Sequence, residues 1–418
     1  MVARVSEGVG VARPLPSLNA WRNAVLGIFA LHGIVAASWV SRVPQVRDLL
    51  HASTGEMGIV LSGLAAGGVA GLLASGAVVT WLGVTRTITV LTCSLAACLI
   101  VLGVVLTVAP NVFLVIPVLV VCGASAYTAS VAMSLSGAAN ERAVGRTLMP
   151  VFHAFFSVGT VAGAGTGALL LLLRVPIGVH FIVLGGSAVV ATLVLVRFLR
   201  PAEPQSGSGA EPAKPGWRER LRAWGEPRVL LLGLIVLGMA FAEGSANDWL
   251  SLAMVDGHHV PVALGAAVFG LFVIAMTVGR LVGAKLLDRY GRVPMLRACA
   301  GLATVGLLLV IAVPLVPVAI LGAVLWGLGA SLGFPVGISA AADDPRTATA
   351  SVSVVATIGY CAFLVGPPVI GLLGQLFGLL NGLLLVVVLV AVAGLASPIA
   401  RGPRVGVPAD AEAVGATD

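Results

Sequence analysis

Charged residues are scarce in this chain, and their scarcity excludes an ordinary soluble protein. Only 10% of the 418 residues are Asp, Glu, Lys or Arg, whereas soluble domains carry about 25%. Hydrophobic residues make up 59% of the sequence, and the mean hydropathy is +1.08. We therefore interpret the chain as a membrane protein with several spans. Its net charge of +7 then belongs to loops and termini, and we expect no nucleic-acid partner.

The signatures of catalysis and of bound cofactors are also missing. The five cysteines are an odd number and lie scattered inside apolar segments, so they indicate neither disulfide bonds nor a metal site. The sequence has no nucleophile motif and no phosphate-binding loop, and the pair His258 and His259 does not by itself define a metal centre. We predict that the protein is not an enzyme and holds no cofactor or metal.

Long apolar runs are abundant, and they predict the fold class. A membrane-spanning helix needs about 20 apolar residues. Runs between charged residues or Pro and Gly breaks predict twelve such helices, at approximately 20–41, 56–80, 87–108, 112–138, 149–173, 179–199, 229–254, 263–285, 295–313, 317–341, 349–375 and 381–399. The sequence therefore predicts an all-α membrane protein whose two termini lie on the same side.

The distribution of basic residues predicts which side that is. If the N-terminus is cytoplasmic, 20 of the 24 Lys and Arg residues fall on the cytoplasmic side. Arg42, Arg47 and Arg174 then fall outside, and Arg280 lies within the eighth helix. Because basic residues concentrate in cytoplasmic loops, we predict that both termini are cytoplasmic.

Residues 200–228 interrupt the apolar pattern once. Their first part is rich in Pro, Ser and Gly and is typical of a flexible linker, while their second part is basic and predicts a short amphipathic helix on the membrane surface. Six predicted helices precede the linker and six follow it. We therefore predict an N-terminal half at 1–199, the linker at 200–228, a C-terminal half at 229–400 and a tail at 401–418.

The connection between the eighth and ninth predicted helices carries a motif. With the helix before it, this connection contributes Arg280, Asp288, Arg289, Gly291 and Arg292. The spacing resembles the signature loop of the major facilitator superfamily. Gly291 permits a tight turn, and Asp288 can pair with a basic group or a helix N-terminus and so latch one conformation. The matching loop of the first half keeps Gly83 but has Thr80 where the acid would stand, so we expect an asymmetric gate.

Longer stretches resemble one bacterial inner-membrane subfamily, the YbjJ-like group, which is related to the rhizopine-associated MosC proteins. The matching stretches are 37–44, 153–159, 241–249, 254–258, 325–335 and 360–368. The resemblance covers nearly the whole chain. It implies a secondary transporter in the bacterial inner membrane, with two pseudo-symmetric six-helix halves that rock about a central site. It supplies no substrate.

Two acidic residues lie inside the seventh predicted helix. Glu243, Asn247 and Ser251 follow one another at four-residue spacing and so share one helix face, with Asp248 one position further round. Because hydrocarbon cannot solvate a carboxylate, both acids should face a wet cavity or a charged partner. The alternative to a functional role is that they pair with Arg42 or cap a kink, and so only shape the helix.

The functional interpretation gives these residues separate roles. Glu243 lies near the bilayer middle, where burial favours the protonated carboxyl, so we predict that it carries the coupling proton. Asp248 is predicted to bind a solute hydroxyl or amine, with Asn247 as a neutral donor and acceptor and Trp249 as a wall. Members of the subfamily often carry an acid in the fourth helix, where this chain has Ser130, Ser134 and Ser136.

Five further candidates are Trp39, Arg42, His153, Trp326 and Tyr360. The aromatic rings can stack on a flat or sugar-like solute, although interfacial or packing roles are the alternative. His153 can relay a proton, or it can be a neutral, hydrogen-bonded residue. Arg42 is expected at the outer end of the first helix, where its side chain can snorkel to water.

These observations predict a monomeric transporter in the lipid bilayer that moves a small solute. Because no nucleotide-binding motif is present, the energy must come from a gradient, and protons are the ion we expect. One alternative is efflux of amphipathic compounds. Another is a sensor or interaction protein built on a transporter scaffold.

Overall fold

The computed structural model describes residues 16–146, 148–200, 222–344 and 347–401, and these contain twelve helices long and apolar enough to span a membrane. In chain order they are α1 (Leu18–Leu50), α2 (Thr54–Leu82), α3 (Val84–Val108), α4 (Val112–Val144), α5 (Met149–Leu172), α6 (Ile177–Phe198), α7 (Pro227–His258), α8 (Val262–Tyr290), α9 (Arg292–Ala312), α10 (Val316–Ala341), α11 (Ala348–Phe377) and α12 (Leu379–Ala400). The predicted all-α fold with twelve spans is confirmed. Most of the predicted linker and tail lies outside the described residues, so the four-part division stays a prediction.

The turns between helices follow from local sequence. Ser53 and Glu56 form a capping box at the start of α2, in which the Glu56 carboxylate accepts a 2.8 Å hydrogen bond from the Ser53 backbone N–H. Gly83, with φ +76°, lies between α2 and α3, and Gly291, with φ +81°, lies between α8 and α9. Only glycine adopts such a φ without strain, which explains both residues.

Equivalent turns recur in the two halves at a constant distance along the chain. Gly83 and Gly291 are 291 − 83 = 208 residues apart. His51 and His259, which end α1 and α7 in the left-handed conformation, are 259 − 51 = 208 residues apart. The predicted pseudo-symmetry of the two halves is confirmed.

We name the two ends of the bundle after these turns. The His51 end holds the α1–α2 and α7–α8 connections. The Gly83 end holds the α2–α3 and α8–α9 connections.

Helix packing repeats between the halves as well. In the first half α1 packs on α5, α2 on α4, and α3 on both α4 and α6. In the second half α7 packs on α11, α8 on α10, and α9 on both α10 and α12. The halves meet through α2 against α11 and α5 against α8. α1 also contacts α7 and α8 across the halves.

Small residues let α5 approach α1 closely. A Cβ added at Gly163 would lie 2.5 Å from the Ile34 carbonyl oxygen, and one added at Gly159 would collide with the Ala30 carbonyl. Backbones in such contact gain dispersion energy that larger residues would prevent. These glycines are packing residues.

Two helices are longer than their apolar runs. α1 ends at Leu50 rather than near residue 41, and α7 ends at His258 rather than near residue 254. The apolar run used to predict the first helix ended at the first charged residue, Arg42, but this side chain is accommodated inside the fold. Arg42 is therefore an interior residue of α1, and its predicted position at the helix end is wrong.

Candidate functional site

The polar residues of α7 occupy its one accessible stripe. From Met239 to Met254 every residue is buried except Glu243, Asn247 and Asp248. A π-helical turn at Ala246–Leu250 widens the helix here, so two consecutive side chains reach the same stripe. Ser251 was expected to continue the stripe, but it is buried and donates to the Gly265 carbonyl at 3.3 Å.

Glu243 forms an ion pair with Arg280 of α8. The Arg280 Nη2 atom lies 3.0 Å from each carboxylate oxygen of Glu243. The side-chain exposure is 20% for Glu243 and 38% for Arg280, so the pair is only partly buried. Glu243 therefore does not pair with Arg42, as the structural alternative supposed. Arg280, which we had assigned to the loop motif, belongs to this site.

Arg280 also compensates for a break in α10. The helix is interrupted between Ala330 and Gly333, and a helix end leaves carbonyls without intrahelical donors. The Arg280 Nε–H donates to the Ser331 carbonyl at 3.3 Å. A Cβ at Gly279 would lie 2.6 Å from Ser331 Oγ, so glycine is what permits this approach. Arg280 thus joins α7, α8 and the broken part of α10.

Asp248 has a different environment from Glu243. It is half-buried, and no hydrogen bond or ion pair joins it to another residue in the described part of the chain. Tyr127 of α4 lies close enough to interact electrostatically with Asp248, Glu243 and Tyr360. One face of the candidate site therefore carries a carboxylate available to a solute.

Two tyrosines face each other across the halves. Tyr127 of α4 and Tyr360 of α11 line the same small cavity, together with Phe363 and residues of α2. A Cβ at Gly68 would lie 2.8 Å from the Tyr127 ring, so glycine makes room for it. Tyr127 was not among the predicted residues. Tyrosine is rare in this chain, with three in all, and that rarity was the one sequence feature that distinguished Tyr127. Rarity does not predict which way a side chain points.

His153 of α5 approaches the same group from the first half. Its ring is edge-on to Phe29 at 5.2 Å between centroids, and it lies within electrostatic range of Arg280. The side chain is exposed rather than buried. Glu243 therefore pairs with Arg280, which is within electrostatic range of His153, and it is within electrostatic range of Tyr127. We group these residues with Asp248 and Tyr360 as the candidate site.

The tryptophans do not line this cavity. Trp249 and Trp326 are both 0% exposed, and Trp39 is 6% exposed. The indole N–H of Trp326 donates to the Ala242 carbonyl at 3.1 Å, and its ring meets Phe272 in a T-shaped contact. Their predicted role as solute walls is wrong in this conformation, because their large apolar surface is used for helix packing.

Arg42 is also separate from the α7 acids. It is 0% exposed, and its guanidinium donates to His180 Nδ1 at 3.1 Å and to Gln45 Oε1 at 2.6 Å. The side chain therefore points between α1 and α6, within the first half. It does not snorkel.

An ion pair and a hydrogen bond join the two halves at the His51 end. Arg47 pairs with Asp48 at 2.8 Å and also with Asp256 of the other half, and these two acids are 256 − 48 = 208 residues apart. The Gly55 N–H donates to the Gln375 side chain at 3.1 Å. Of the hydrogen bonds and ion pairs between residues that the structure describes, the Arg47–Asp256 and Gly55–Gln375 contacts cross between the halves.

At the Gly83 end the motif residues stay within the second half. Arg292 donates to both carboxylate oxygens of Asp343, at 2.7 and 2.9 Å. Arg289 lies over the Tyr290 ring at 5.4 Å. Asp288 is exposed and makes no contact of this kind with the described residues. Its predicted latch is therefore disengaged in this conformation.

The contacts between the halves indicate where the space beside the site opens. Glu243, Arg280 and His153 retain accessible surface although the His51 end is closed. At the Gly83 end no hydrogen bond or ion pair between described residues joins the two halves, and both crossing contacts lie at the His51 end. This distribution of contacts favours opening towards the Gly83 end.

Twelve helices in two related halves, with ion-paired and unpaired carboxylates facing a space between them, define a membrane transporter. The particular family follows from comparison with known proteins. The chain belongs to the Major Facilitator Superfamily, whose model matches residues 24–360 and 249–415.

Bacterial membrane proteins are among its relatives. An uncharacterized MFS-type transporter of Yersinia pestis is 30% identical over 357 residues, which cover 84% of this chain and 88% of that protein. An uncharacterized transporter of Sinorhizobium fredii is 29% identical and covers 86% and 92% of the two chains. The membrane protein MosC of Rhizobium meliloti is 25% identical and covers 92% and 91%. The predicted resemblance to the MosC group is confirmed.

Solved structures support the fold. The nucleoside transporter NupG, as its D323A mutant, superposes with a TM-score of 0.75 and 12% identity, covering 91% of this chain and 99% of the other. A bacterial homolog of the human lysosomal transporter Spinster superposes with a TM-score of 0.70 and 16% identity, covering 94% and 100%. At these identities the likeness establishes the architecture alone.

Proposed function

We propose that this protein is a secondary active transporter that moves a small solute across the bacterial inner membrane by alternating access, coupled to protons. The observation that carries the proposal is the Glu243–Arg280 ion pair, which lies inside the membrane span, is only partly buried, and neighbours the unpaired Asp248. Ionisable groups at such depth are costly and mark transport pathways.

The pair offers a physical route to coupling. Protonation of Glu243 removes the negative member of the pair and releases Arg280 from α7. Arg280 also holds the Ser331 carbonyl at the α10 break, so its release loosens the joint between α7, α8 and α10. His153 lies within range of Arg280 and extends this linkage to the first half. Proton binding thereby favours one arrangement of the halves over the other, as alternating access requires.

The direction of opening follows from the basic residues. Arg86, Arg142, Arg197 and Arg292 lie in described segments at the Gly83 end, together with Arg401. The positive-inside rule supports a cytoplasmic location for that end, and with this orientation we assign the structure to an inward-open conformation.

Reporter fusions test this orientation. Fusions at residue 210 and after residue 400 are expected to report the cytoplasm, and a fusion at residue 257 is expected to report the periplasm. As a control for expression, an epitope tag replaces the reporter at each of the same residues. A periplasmic signal at residue 210 contradicts the orientation and the inward-open assignment.

Asp288→Asn tests the proposed cytoplasmic latch. Since Asp288 is disengaged in the open form, its contacts would stabilise only the opposite, outward-open form. We therefore expect the variant to populate the inward-open form more, to slow transport several-fold, and to bind solute almost normally. Alkylation of cysteines introduced at either end measures the shift.

Glu226→Gln is a matched control, because Glu226 is an exposed acid at the same end of the same half, outside the signature loop, and its variant should transport and be labelled like the wild type. If Asp288→Asn transports at the normal rate and is labelled identically from both sides, the latch assignment fails.

Flux measurements test the function as a whole. A thermal-shift screen of sugars, polyols, nucleosides and amino acids on purified protein selects the solute. Counterflow in proteoliposomes then reports transport of that solute, and pyranine trapped inside reports proton movement. A change in luminal pH that depends on added solute supports the proposal, because it shows that protons move when the solute moves.

Two outcomes oppose it. Solute binding without flux favours a sensor, and extrusion confined to amphipathic compounds favours efflux.

A further inference from the structure

We propose that a small monovalent anion binds inside the N-terminal half, between α1 and α6, at the group formed by Arg42 and His180. The ligand chemistry is that of a halide ion or of a carboxylate group on a solute. This site is distinct from the α7 acids, and it does not depend on the proposed transport function.

The first observation is an unbalanced buried charge. Arg42 is 0% exposed, and none of the ion pairs between described residues involves it. Its guanidinium partners are the neutral groups of His180 and Gln45. Arginine stays protonated in proteins, and an unpaired ion in a low-dielectric interior is strongly destabilising. A counter-ion at this place therefore stabilises the fold.

The second observation is a set of hydrogen-bond donors without acceptors. The Arg42 Nε–H donates to His180 Nδ1, so the neutral imidazole carries its hydrogen on Nε2. His180 Nε2 and Arg42 Nη2 are both buried, and neither has a partner among the described groups. The Ser38 hydroxyl, one helical turn before Arg42, is likewise buried and unpartnered.

These two observations select the chemistry of the ligand. The unpartnered guanidinium and imidazole atoms are donors, so their ligand must accept hydrogen bonds. A water molecule accepts hydrogen bonds but leaves the charge of Arg42 unbalanced. A metal cation would be repelled by the guanidinium. An anion beside Arg42 Nη2 accepts from that donor and balances the charge, which is why we assign the site to one. The His180 Nε2–H lies on the far side of the ring from Arg42, so His180 contributes by orienting the guanidinium through Nδ1.

The flanking residues keep the site fixed. Trp39 and Phe181 are neighbours of Arg42 and His180 on their helices, and their rings contact each other at 6.4 Å between centroids. Both rings are buried. This packing holds α1 against α6 and shields the charged group from bulk water, which strengthens its attraction for an anion.

The experiment measures anion-dependent stability of the purified full-length chain. Sodium isethionate, whose anion is a sulfonate and neither a halide nor a carboxylate, is replaced stepwise by sodium chloride or sodium bromide at constant ionic strength, and a separate series uses sodium acetate. For the wild type we expect a saturable rise in melting temperature of roughly 2 °C or more in halide, because a ligand of the native state stabilises it by mass action. Arg42→Gln is expected to abolish this rise.

Arg197→Gln is the matched control, since Arg197 is an exposed arginine at the other end of the same half and its variant should respond to halide like the wild type. If Arg42→Gln does not fold, anomalous scattering from bromide-soaked wild-type crystals replaces it, with a peak expected beside Arg42. A rise in acetate but not in halide supports the site and identifies a carboxylate as its ligand. No anion effect on the wild type, or an equal effect in Arg42→Gln, overturns the inference.

Discussion

Glu243→Gln is expected to abolish pH-driven accumulation of solute while solute exchange continues. Glutamine keeps the size and much of the hydrogen-bonding capacity of the side chain but cannot take up a proton. Proteoliposomes that contain the variant should therefore equilibrate the solute without concentrating it when a pH gradient is imposed. The wild type, measured in parallel, should accumulate solute until the gradient decays.

A purely structural role of the ion pair would also make Glu243→Gln defective. In that variant Arg280 loses its partner, and an unpaired charge costs about 3–5 kcal/mol when fully buried, less here because Arg280 is 38% exposed. The double variant Glu243→Gln/Arg280→Gln removes both charges and restores a neutral, hydrogen-bonding pair. The double variant therefore distinguishes a proton-carrying role of Glu243 from a purely structural one.

The proton-carrier role predicts that the double variant folds, with its stability lowered only by loss of the Arg280–Ser331 hydrogen bond, yet is still uncoupled. Thermal unfolding and pH-driven uptake, measured on the same preparation, provide the two readouts. If the double variant regains pH-driven accumulation, Glu243 has only a structural role.

Asp248→Asn is expected to weaken solute binding by roughly 10- to 100-fold. This range follows from the loss of a charge-assisted hydrogen bond, worth about 1.5–3 kcal/mol. The variant should fold normally, because no described protein group is left without a partner when the charge is removed. Titration of the purified variant with the solute found in the screen measures the change in Kd.

Ser251→Ala provides the control on the same helix. Helical spacing alone placed Ser251 on the stripe with Glu243 and Asn247, but the side chain is buried against α8. Its removal should leave the Kd unchanged. Equal binding by Asp248→Asn and the wild type would contradict the role assigned to Asp248.

The architecture could be predicted from the sequence because the bilayer leaves few choices. Every backbone polar group must be satisfied within a helix, so apolar runs alone identified twelve spans. The repeat was visible in glycines such as Gly83 and Gly291, since a left-handed turn restricts the residue type. Helix ends were less predictable, because the charge of Arg42 is accommodated inside α1.

The site was predicted in part, and the errors share a cause. Acids inside a span are conspicuous, so α7 was identified. Which cation partners Glu243 depends on how α7 and α8 pack, and sequence periodicity contains no such information. The π-helical turn at 246–250 changed the register of α7, which moved Ser251 off the stripe. The tryptophans were misassigned because an indole that packs and an indole that binds solute look the same in sequence.

We propose that the two halves alternate between closure at one end and closure at the other. Spin-label distances test it most directly, in a chain whose five native cysteines are replaced. One pair of labels replaces His51 and His259, both exposed at the closed end, and another replaces Trp81 and Lys285, both exposed at the open end. We predict that each pair of labels shows a short and a long distance, and that a change in pH or solute shifts the two pairs in opposite directions. The His51–His259 distance lengthens as the Trp81–Lys285 distance shortens. Distances that stay fixed under every condition, or that lengthen together, would contradict the account.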